Sequence, residues 1–187
     1  MDIAKRNVDR LNRLINEILD FQKLESGKMV FNMRENDMNE VVKEVRQAML
    51  PLAEEKGLDF ILRLDEHLPR VKFDKDRITQ VLLNLVNNAI KFTDHGSIII
   101  VTQQGDNFIQ VTVQDTGAGI KEDDMSKLFQ EFTQLETGIK KKTGGTGLGL
   151  VISLEIIEAH HGKIWPESTF GKGTIVHFTL PVKERRG

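Results

Sequence analysis

The stretch ITQVLLNLVNNAIKF, residues 78 to 92, has the apolar spacing of a core helix but is interrupted by asparagines. These are Asn84, Asn87 and Asn88. Asparagine is a weak helix former, and a buried side-chain amide left without a hydrogen-bond partner costs roughly 1–3 kcal/mol. We therefore expect other groups in the protein, or a ligand, to satisfy these amides.

Four polar side chains of this helix share one surface. At about 100° per residue, the polar stripe lies within an arc of roughly 80° and consists of Gln80, Asn84, Asn88 and Lys91. The opposite, core-directed surface consists of Ile78, Val81, Leu82, Leu85 and Ala89. The polar stripe could bond to nearby backbone or bind a ligand. Because amide oxygens suit Mg²⁺ and lysine attracts phosphate, the second alternative predicts a magnesium-nucleotide site.

The composition excludes several classes of function. The chain has 187 residues, 26 Lys and Arg against 28 Asp and Glu, and no cysteine. A net charge of −2 gives no basic face for nucleic acid, and the lack of cysteine excludes disulfides and thiolate metal sites. No apolar run reaches the roughly 18–20 residues that cross a bilayer. We expect one soluble main domain, with room for a small appendage.

The N-terminal segment, residues 2 to 24, is predicted to be an amphipathic helix. Its apolar residues step by three and four positions at Val8, Leu11, Ile15 and Ile18. Since an isolated helix of this kind is stable only when its apolar stripe packs on another helix, we expect it to dimerise or dock.

The remaining pattern predicts helices alternating with hairpins. Pro51 should kink a helix that Gly57 ends, and Asp74 should cap the asparagine-bearing helix. Further helices are predicted at about 122–132 and, opened by the glycine- and lysine-rich stretch 137–150, running to His161. Strands are predicted at 28–33, 58–64, 97–104, 108–115, 162–165 and 173–180. We infer an α+β fold, a two-layer sandwich with helices on one face of a mixed, mostly antiparallel sheet, plus the N-terminal helix.

Two glycine motifs suit a nucleotide. In DTGAGI, residues 115 to 120, Asp115 can accept a hydrogen from an exocyclic amine, while Gly117 and Gly119 allow close approach of a flat ring. In GGTGLGL, residues 144 to 150, alternating glycines precede an apolar helix whose start favours an anion. Each motif alone has another reading, since the first also ends ordinary hairpins and the second could be a flexible loop.

Together these motifs resemble a known family. NLVNNAIKF, DTGAGI, LFQEFTQ and GGTGLGL, in this order, resemble the N-box, first glycine box, F-box and second glycine box of bacterial sensor histidine kinases. The likeness extends from about residue 38 to 182. LINEILDFQKLESGKM, residues 14 to 29, resembles the second helix of the family's dimerisation and phosphotransfer hairpin. The resemblance implies that residues 1–27 belong to that hairpin and 28–187 to the catalytic ATP-binding domain.

The resemblance also implies a role for each matching residue. Asn84 and Asn88 would hold Mg²⁺, Lys91 would pair with ATP phosphates, and Asp115 would read the adenine amine, assisted by the hydroxyl of Thr174. A mobile lid would span 133–146. The further nucleotide contacts implied are Phe92, Gly117, Gly119, Ile120, Phe132, Gly145, Thr146, Gly147, Leu148 and Gly149.

Two departures from the family pattern concern catalysis. Where many relatives carry an F-box arginine, this chain has Gln130 and Gln134, so that role is unfilled or passes to lysines 140–142, which could equally be solvated lid surface. None of the five histidines has the setting of the family's phosphate acceptor. We therefore expect the chain to begin after its acceptor helix.

The implied function is transfer of the ATP γ-phosphate to a histidine on a hairpin that is incomplete here, for onward transfer to a response-regulator receiver domain. The parent would dimerise through the N-terminal helix and be cytoplasmic, with or without a membrane anchor. ATP-hydrolysing relatives such as DNA gyrase carry a glutamate where this chain has Gln80, so slow hydrolysis is expected. Two alternatives stay open: a non-catalytic nucleotide-binding or dimerisation module whose pocket merely holds ADP, and a serine kinase of the same superfold.

Overall fold

The computed structural model describes residues 2–130 and 147–182. Helices and strands alternate along the chain much as the hydrophobic spacing predicts. In order they are α1 (Asp2–Glu25), β1 (Arg34–Asn36), α2 (Met38–Glu55), β2 (Asp59–Arg63), β3 (Val71–Phe73), α3 (Lys75–Phe92), β4 (Ser97–Gln104), β5 (Phe108–Asp115), α4 (Glu122–Met125), α5 (Gly149–Ala159), β6 (Lys163–Thr169) and β7 (Gly173–Pro181).

A five-stranded sheet forms one layer of the described structure, in the order β2-β4-β5-β7-β6. β2 runs parallel to β4, and the other neighbours are antiparallel. A separate short pairing joins β1 to β3. The predicted α+β fold with a mixed, mostly antiparallel sheet is confirmed, as is the predicted hairpin of β4 and β5.

The core lies between the sheet and the helices α2, α3 and α5. The predicted core face of α3 is buried, with Ile78, Val81 and Leu82 fully inaccessible to solvent. Full burial of each such side chain stabilises the fold by about 1.5–3 kcal/mol. The facing side chains of the sheet are also fully buried; they include Ile98, Ile100, Ile109, Val111, Phe178 and Leu180.

Asp74 caps α3 as predicted, since its Oδ1 accepts from the backbone N–H of Arg77 at 3.1 Å. A buried histidine, His160, joins this cap to α5. Its Nε2 accepts from the backbone N–H of Asp74 at 2.9 Å, and its Nδ1 lies 2.7 Å from the carbonyl of Ile156. These bonds require the neutral ring with its proton on Nδ1, and burial lowers the pKa of His160 below its ordinary 6.5.

The predicted N-terminal helix is present as α1. Near its C-terminal end, Phe21 and Leu24 pack against the core. Val8 and Leu11, nearer its start, are 55% and 57% exposed. Within residues 2–130 and 147–182, no helix is both long and apolar enough to cross a membrane.

The structure corrects several predicted element limits. Residues 28–33 do not form the expected strand. They are anchored instead by side chains, because the N–H of Asn32 donates to Asp74 Oδ2 at 2.7 Å and the Phe31 ring packs edge-on to His160. Strand β3 was not predicted, since three residues are too few to show alternation. The helix expected at 122–132 ends at Met125, with residues 131 and 132 outside the described ranges.

Candidate functional site

Asn84 lies against the start of α5. Its Nδ2 donates to the Ser153 hydroxyl at 3.0 Å, and that hydroxyl donates to the carbonyl of Gly149 at 2.9 Å. A Cβ at Gly149 would lie only 2.4 Å from Asn84 Oδ1. Glycine at position 149 therefore allows the amide of the polar stripe and the second glycine motif to come together. Asn88, one turn further along α3, is half-buried.

The first member of the polar stripe contacts α1. Gln80 Nε2 donates to Asp20 Oδ2 at 2.9 Å, and Arg77 Nη1 donates to the same carboxylate oxygen at 3.0 Å. Arg77 Nη1 also donates to Gln80 Oε1 at 2.9 Å. We call these three residues the Asp20 cluster. Sequence reasoning missed it, because nothing in the local pattern relates position 20 to positions 77 and 80.

The C-terminal end of α3 carries Lys91 and Phe92. The Lys91 ammonium lies 4.9 Å from the centroid of the Phe92 ring, which is 40% exposed. The Phe92 carbonyl accepts from the N–H of Ala118 at 3.3 Å. The backbone of Phe92 therefore contacts the loop of the first glycine motif, while its exposed ring lies beside a cation, a combination that suits base stacking and phosphate contacts.

Asp115 ends β5 beside this loop. Its Oδ1 accepts from the N–H of Gly117 at 2.8 Å and from the N–H of Thr174 at 3.3 Å. Burial raises the pKa of Asp115 above its ordinary 3.8, and backbone hydrogen bonds from Gly117 and Thr174, together with the nearby Thr93 hydroxyl, oppose that rise. Backbone N–H donors thus hold the Asp115 carboxylate at the start of the first glycine motif.

The Thr174 hydroxyl was expected to assist Asp115, but it does not contact the carboxylate. Thr174 Oγ1 lies 2.9 Å from Ser168 Oγ, and only the backbone N–H of Thr174 reaches the carboxylate. Thr93, which sequence reasoning missed, is fully buried at the end of α3. Its hydroxyl favours the ionised form of Asp115 but has no partner in hydrogen-bond geometry among the described residues. The sequence KFT, residues 91 to 93, places Thr93 directly after Phe92 and was the signal that could have identified it.

The first glycine motif requires its glycines sterically. A Cβ at Gly117 would lie 2.4 Å from the Phe92 carbonyl oxygen, and one at Gly119 would lie 2.1 Å from the carbonyl oxygen of Thr169. Gly119 also has φ +66°. The neighbouring N–H of Ile120 donates to Ser168 Oγ at 2.9 Å. The loop is therefore held between α3 and the turn that joins β6 to β7.

The second glycine motif is described only from residue 147. Gly147 has φ +74°, Leu148 is buried and α5 begins at Gly149. Gln130 is exposed, and its Nε2 donates to the Ser126 carbonyl at 3.3 Å. The other expectations for this region, Phe132, Gln134, lysines 140–142, Gly145, Thr146 and the lid at 133–146, lie outside the described residues.

The donor set fits Mg²⁺ held jointly with phosphate. Asn84 and Asn88 are one helical turn apart and offer neutral amide oxygens. Within the part of the chain that the structure describes, no group of three or more His, Cys, Asp or Glu side chains could hold a metal ion. A metal at this helix would therefore take most of its ligands from water and from the phosphates of a nucleotide.

Comparison with known proteins agrees with this geometry. Residues 73–184 match the family model described as "Histidine kinase-, DNA gyrase B-, and HSP90-like ATPase". The sensor histidine kinase WalK of Bacillus subtilis is 34% identical over 192 residues, which cover 98% of this chain and 30% of WalK. The chain thus spans about a third or less of the curated relatives it matches.

Two solved structures have the same fold as this chain. Full-length ShkA in complex with AMPPNP superposes with a TM-score of 0.87 at 28% identity, covering 96% of this chain and 37% of ShkA. Histidine kinase ThkA in complex with the response regulator TrrA superposes with a TM-score of 0.79 at 31% identity, covering 100% of this chain and 51% of ThkA.

Proposed function

We propose that this chain delivers the γ-phosphate of ATP to a histidine on a separate helical segment. The chain belongs to the family of histidine kinase-, DNA gyrase B- and HSP90-like ATPases and is the catalytic ATPase domain of a histidine kinase. One observation carries this proposal: a single helix, α3, contacts the start of α5 through Asn84 and the loop after Asp115 through the Phe92 carbonyl. Eight residues separate Asn84 from Phe92, a rise of about 12 Å, which suits a nucleoside triphosphate.

The middle and the C-terminal end of α3 would divide the work of binding. At the C-terminal end Asp115 accepts a hydrogen bond from the adenine amine, the exposed ring of Phe92 packs on the base, and Lys91 pairs with phosphate oxygens. In the middle of the helix Asn84 and Asn88 supply amide oxygens to Mg²⁺. When bound, Mg²⁺ would neutralise charge on the phosphates. Phosphoryl transfer depends mainly on positioning and charge stabilisation, so these residues would act by holding the nucleotide and need form no covalent intermediate with it.

Gln80 supports transfer over hydrolysis. An amide cannot remove a proton from water, and this amide is already hydrogen-bonded to Asp20 and Arg77. We expect Gln80→Glu to raise the rate of ATP hydrolysis, measured as release of inorganic phosphate, because a carboxylate can take a proton from water. The new carboxylate would also repel Asp20, so its effect on the Asp20 cluster must be measured alongside.

The wider assignments belong to this proposal. Residues 1–27 would be the second helix of a dimerisation and phosphotransfer hairpin, and 28–187 the ATP-binding domain. The exposed apolar residues of α1 would pack on a second copy of the chain. ThkA was crystallised with a response regulator, and we propose a receiver domain as the final acceptor here too. The parent protein would place this segment in the cytoplasm.

Two measurements test the proposal in sequence. Thermal unfolding is first compared with Mg-ATP and Mg-GTP, because a ligand at 100 times its dissociation constant stabilises by about 2.7 kcal/mol. Only ATP should raise the transition temperature, since guanine offers a carbonyl where adenine offers an amine. A response to both nucleotides, or to neither, would contradict the adenine site.

The second measurement adds a purified acceptor hairpin and radiolabelled ATP. Acid-labile phosphate on its histidine is the expected result. Nucleotide binding without any transfer would instead indicate a passive nucleotide-binding module. Acid-stable phosphate on serine would indicate a serine kinase of the same superfold.

A further inference from the structure

A lysine outside all of the motifs contacts the end of α3. Lys56 follows directly after α2, and its Nζ donates to the carbonyl oxygens of Ile90 at 2.6 Å, Lys91 at 3.2 Å and Thr93 at 3.1 Å. The last carbonyls of a helix have no partner within the helix and carry its partial negative charge. An ammonium has three donors and one positive charge, so Lys56 suits this helix end on both counts.

The carbonyls that Lys56 binds belong to the segment that contacts the base-recognition loop. Between Lys91 and Thr93 lies Phe92, whose carbonyl accepts from the N–H of Ala118. A side chain at Gly117 would collide with that same carbonyl oxygen. The segment is therefore held by Lys56 on one side and forms a wall of the Asp115 loop on the other.

The middle of α3 is held in a different way. Asn84 is fixed by Ser153 and by its contact with Gly149, about two turns from the carbonyls that Lys56 binds. Loss of Lys56 should consequently disturb the C-terminal end of the helix, beside the Asp115 loop, more than the middle, where the proposed metal ligands lie.

We propose that Lys56 is a positioning residue for base recognition: by binding the terminal carbonyls of α3 it holds Phe92 and Thr93 against the Asp115 loop. This inference rests on the proposed binding of ATP. Lys56 acts through backbone only, so it should govern which base is accepted more than how the phosphates are held.

The test compares the ratio of dissociation constants for Mg-GTP and Mg-ATP among variants of the full chain. Lys56→Met should lower this ratio about twofold to fivefold, the range expected for losing a favourable cation at an exposed helix C-terminus. Lys56→Arg keeps the charge and donors and should stay within about 1.5-fold of wild type. Lys43→Met is the matched control, because exposed Lys43 lies on α2, the helix that Lys56 directly follows, and the substitution removes the same charge. The ratio of dissociation constants in Lys43→Met should equal that of wild type.

Each outcome decides one question. A wild-type ratio in Lys56→Met, or an equal loss of affinity for both nucleotides, would overturn the inference and leave Lys56 a structural residue only. If Lys56→Met does not fold, Lys56→Gln replaces it, with an expected loss of about threefold because the charge is gone and two donors remain. An unchanged ratio there would also overturn the inference. If wild type itself does not prefer ATP, the proposed function fails instead.

Discussion

Substituting Gly149 with alanine should separate metal binding from stability. The new Cβ would lie 2.4 Å from Oδ1, 3.0 Å from Cγ and 3.2 Å from Nδ2 of Asn84. Since ordinary contacts of a Cβ begin near 3.4 Å, the Asn84 amide must move by about 1 Å. Only the side chain of Asn84 can yield, because position 149 lies in the first turn of α5.

The cost to folding should be small. Moving Asn84 weakens its 3.0 Å hydrogen bond to Ser153, which is worth about 0.5–1.5 kcal/mol. Replacing glycine by alanine in a helix returns about 0.5–1 kcal/mol. The two terms nearly cancel, so the free energy of unfolding should change by less than about 1 kcal/mol.

The cost to metal-dependent binding should be larger. Mg²⁺ tolerates little departure from octahedral geometry, and disturbing the support of a metal ligand typically costs 10–100-fold in metal affinity. We expect Gly149→Ala to lose about 10–100-fold of the affinity that Mg²⁺ adds to ATP binding. Binding of ATP in EDTA should change little.

Isothermal titration calorimetry with ATP, in Mg²⁺ and in EDTA, measures both quantities, and a thermal melt of the same sample reports stability. Ser153→Ala is a useful companion, since it removes the hydroxyl that holds Asn84 without adding bulk. If Gly149→Ala kept the full gain in affinity from Mg²⁺, Asn84 would not be a metal ligand and the reasoning would be refuted.

Three other predictions concern the carboxylates and the buried histidine. Asp115→Asn should bind Mg-ATP about 10–100-fold more weakly by calorimetry, without a lower melting temperature, because burial already disfavours the ionised carboxylate; undiminished affinity would exclude Asp115 from base recognition. Asp20→Ala removes the acceptor shared by Arg77 and Gln80, a partly buried contact, and should speed hydrogen exchange along the C-terminal half of α1; unchanged exchange would show that the contact does not hold α1. Because the pKa of His160 is lowered, the folded protein binds fewer protons than the unfolded chain just below pH 6.5, so stability should be complete above that pH and fall as pH drops below it. Urea unfolding at several pH values should show a shallower loss in His160→Gln, and an identical slope would contradict this assignment.

Features that depend on local periodicity were predictable from the sequence. The core face of α3, its cap at Asp74 and the hairpin of β4 and β5 each follow from spacing and turn chemistry within a short segment. The site residues Asn84 and Asp115 could be named for the same reason, because each stands out against an apolar or strand pattern.

Features that depend on distant contacts were not predictable. The bond from Asn84 to Ser153 joins positions 69 residues apart, and the contact of Lys56 with Ile90 joins positions 34 apart. The Thr174 hydroxyl was expected to assist Asp115, but side-chain rotation, which no spacing rule describes, directs it to Ser168. Strand β3 is too short to show a pattern and is stabilised by its pairing with β1.

The Asp20 cluster links the rotation of α1 about its own axis to the side chains of α3. α1 has 24 residues and is about 36 Å long, and Asp20 lies near its C-terminal end, which packs against the core. Turning this helix about its axis by one residue step, about 100°, would carry the carboxylate away from Arg77 and Gln80. Gln80 is one turn from Asn84, so a rotation applied at the far end of α1 would remove a negative charge from beside Gln80, one turn away from Asn84.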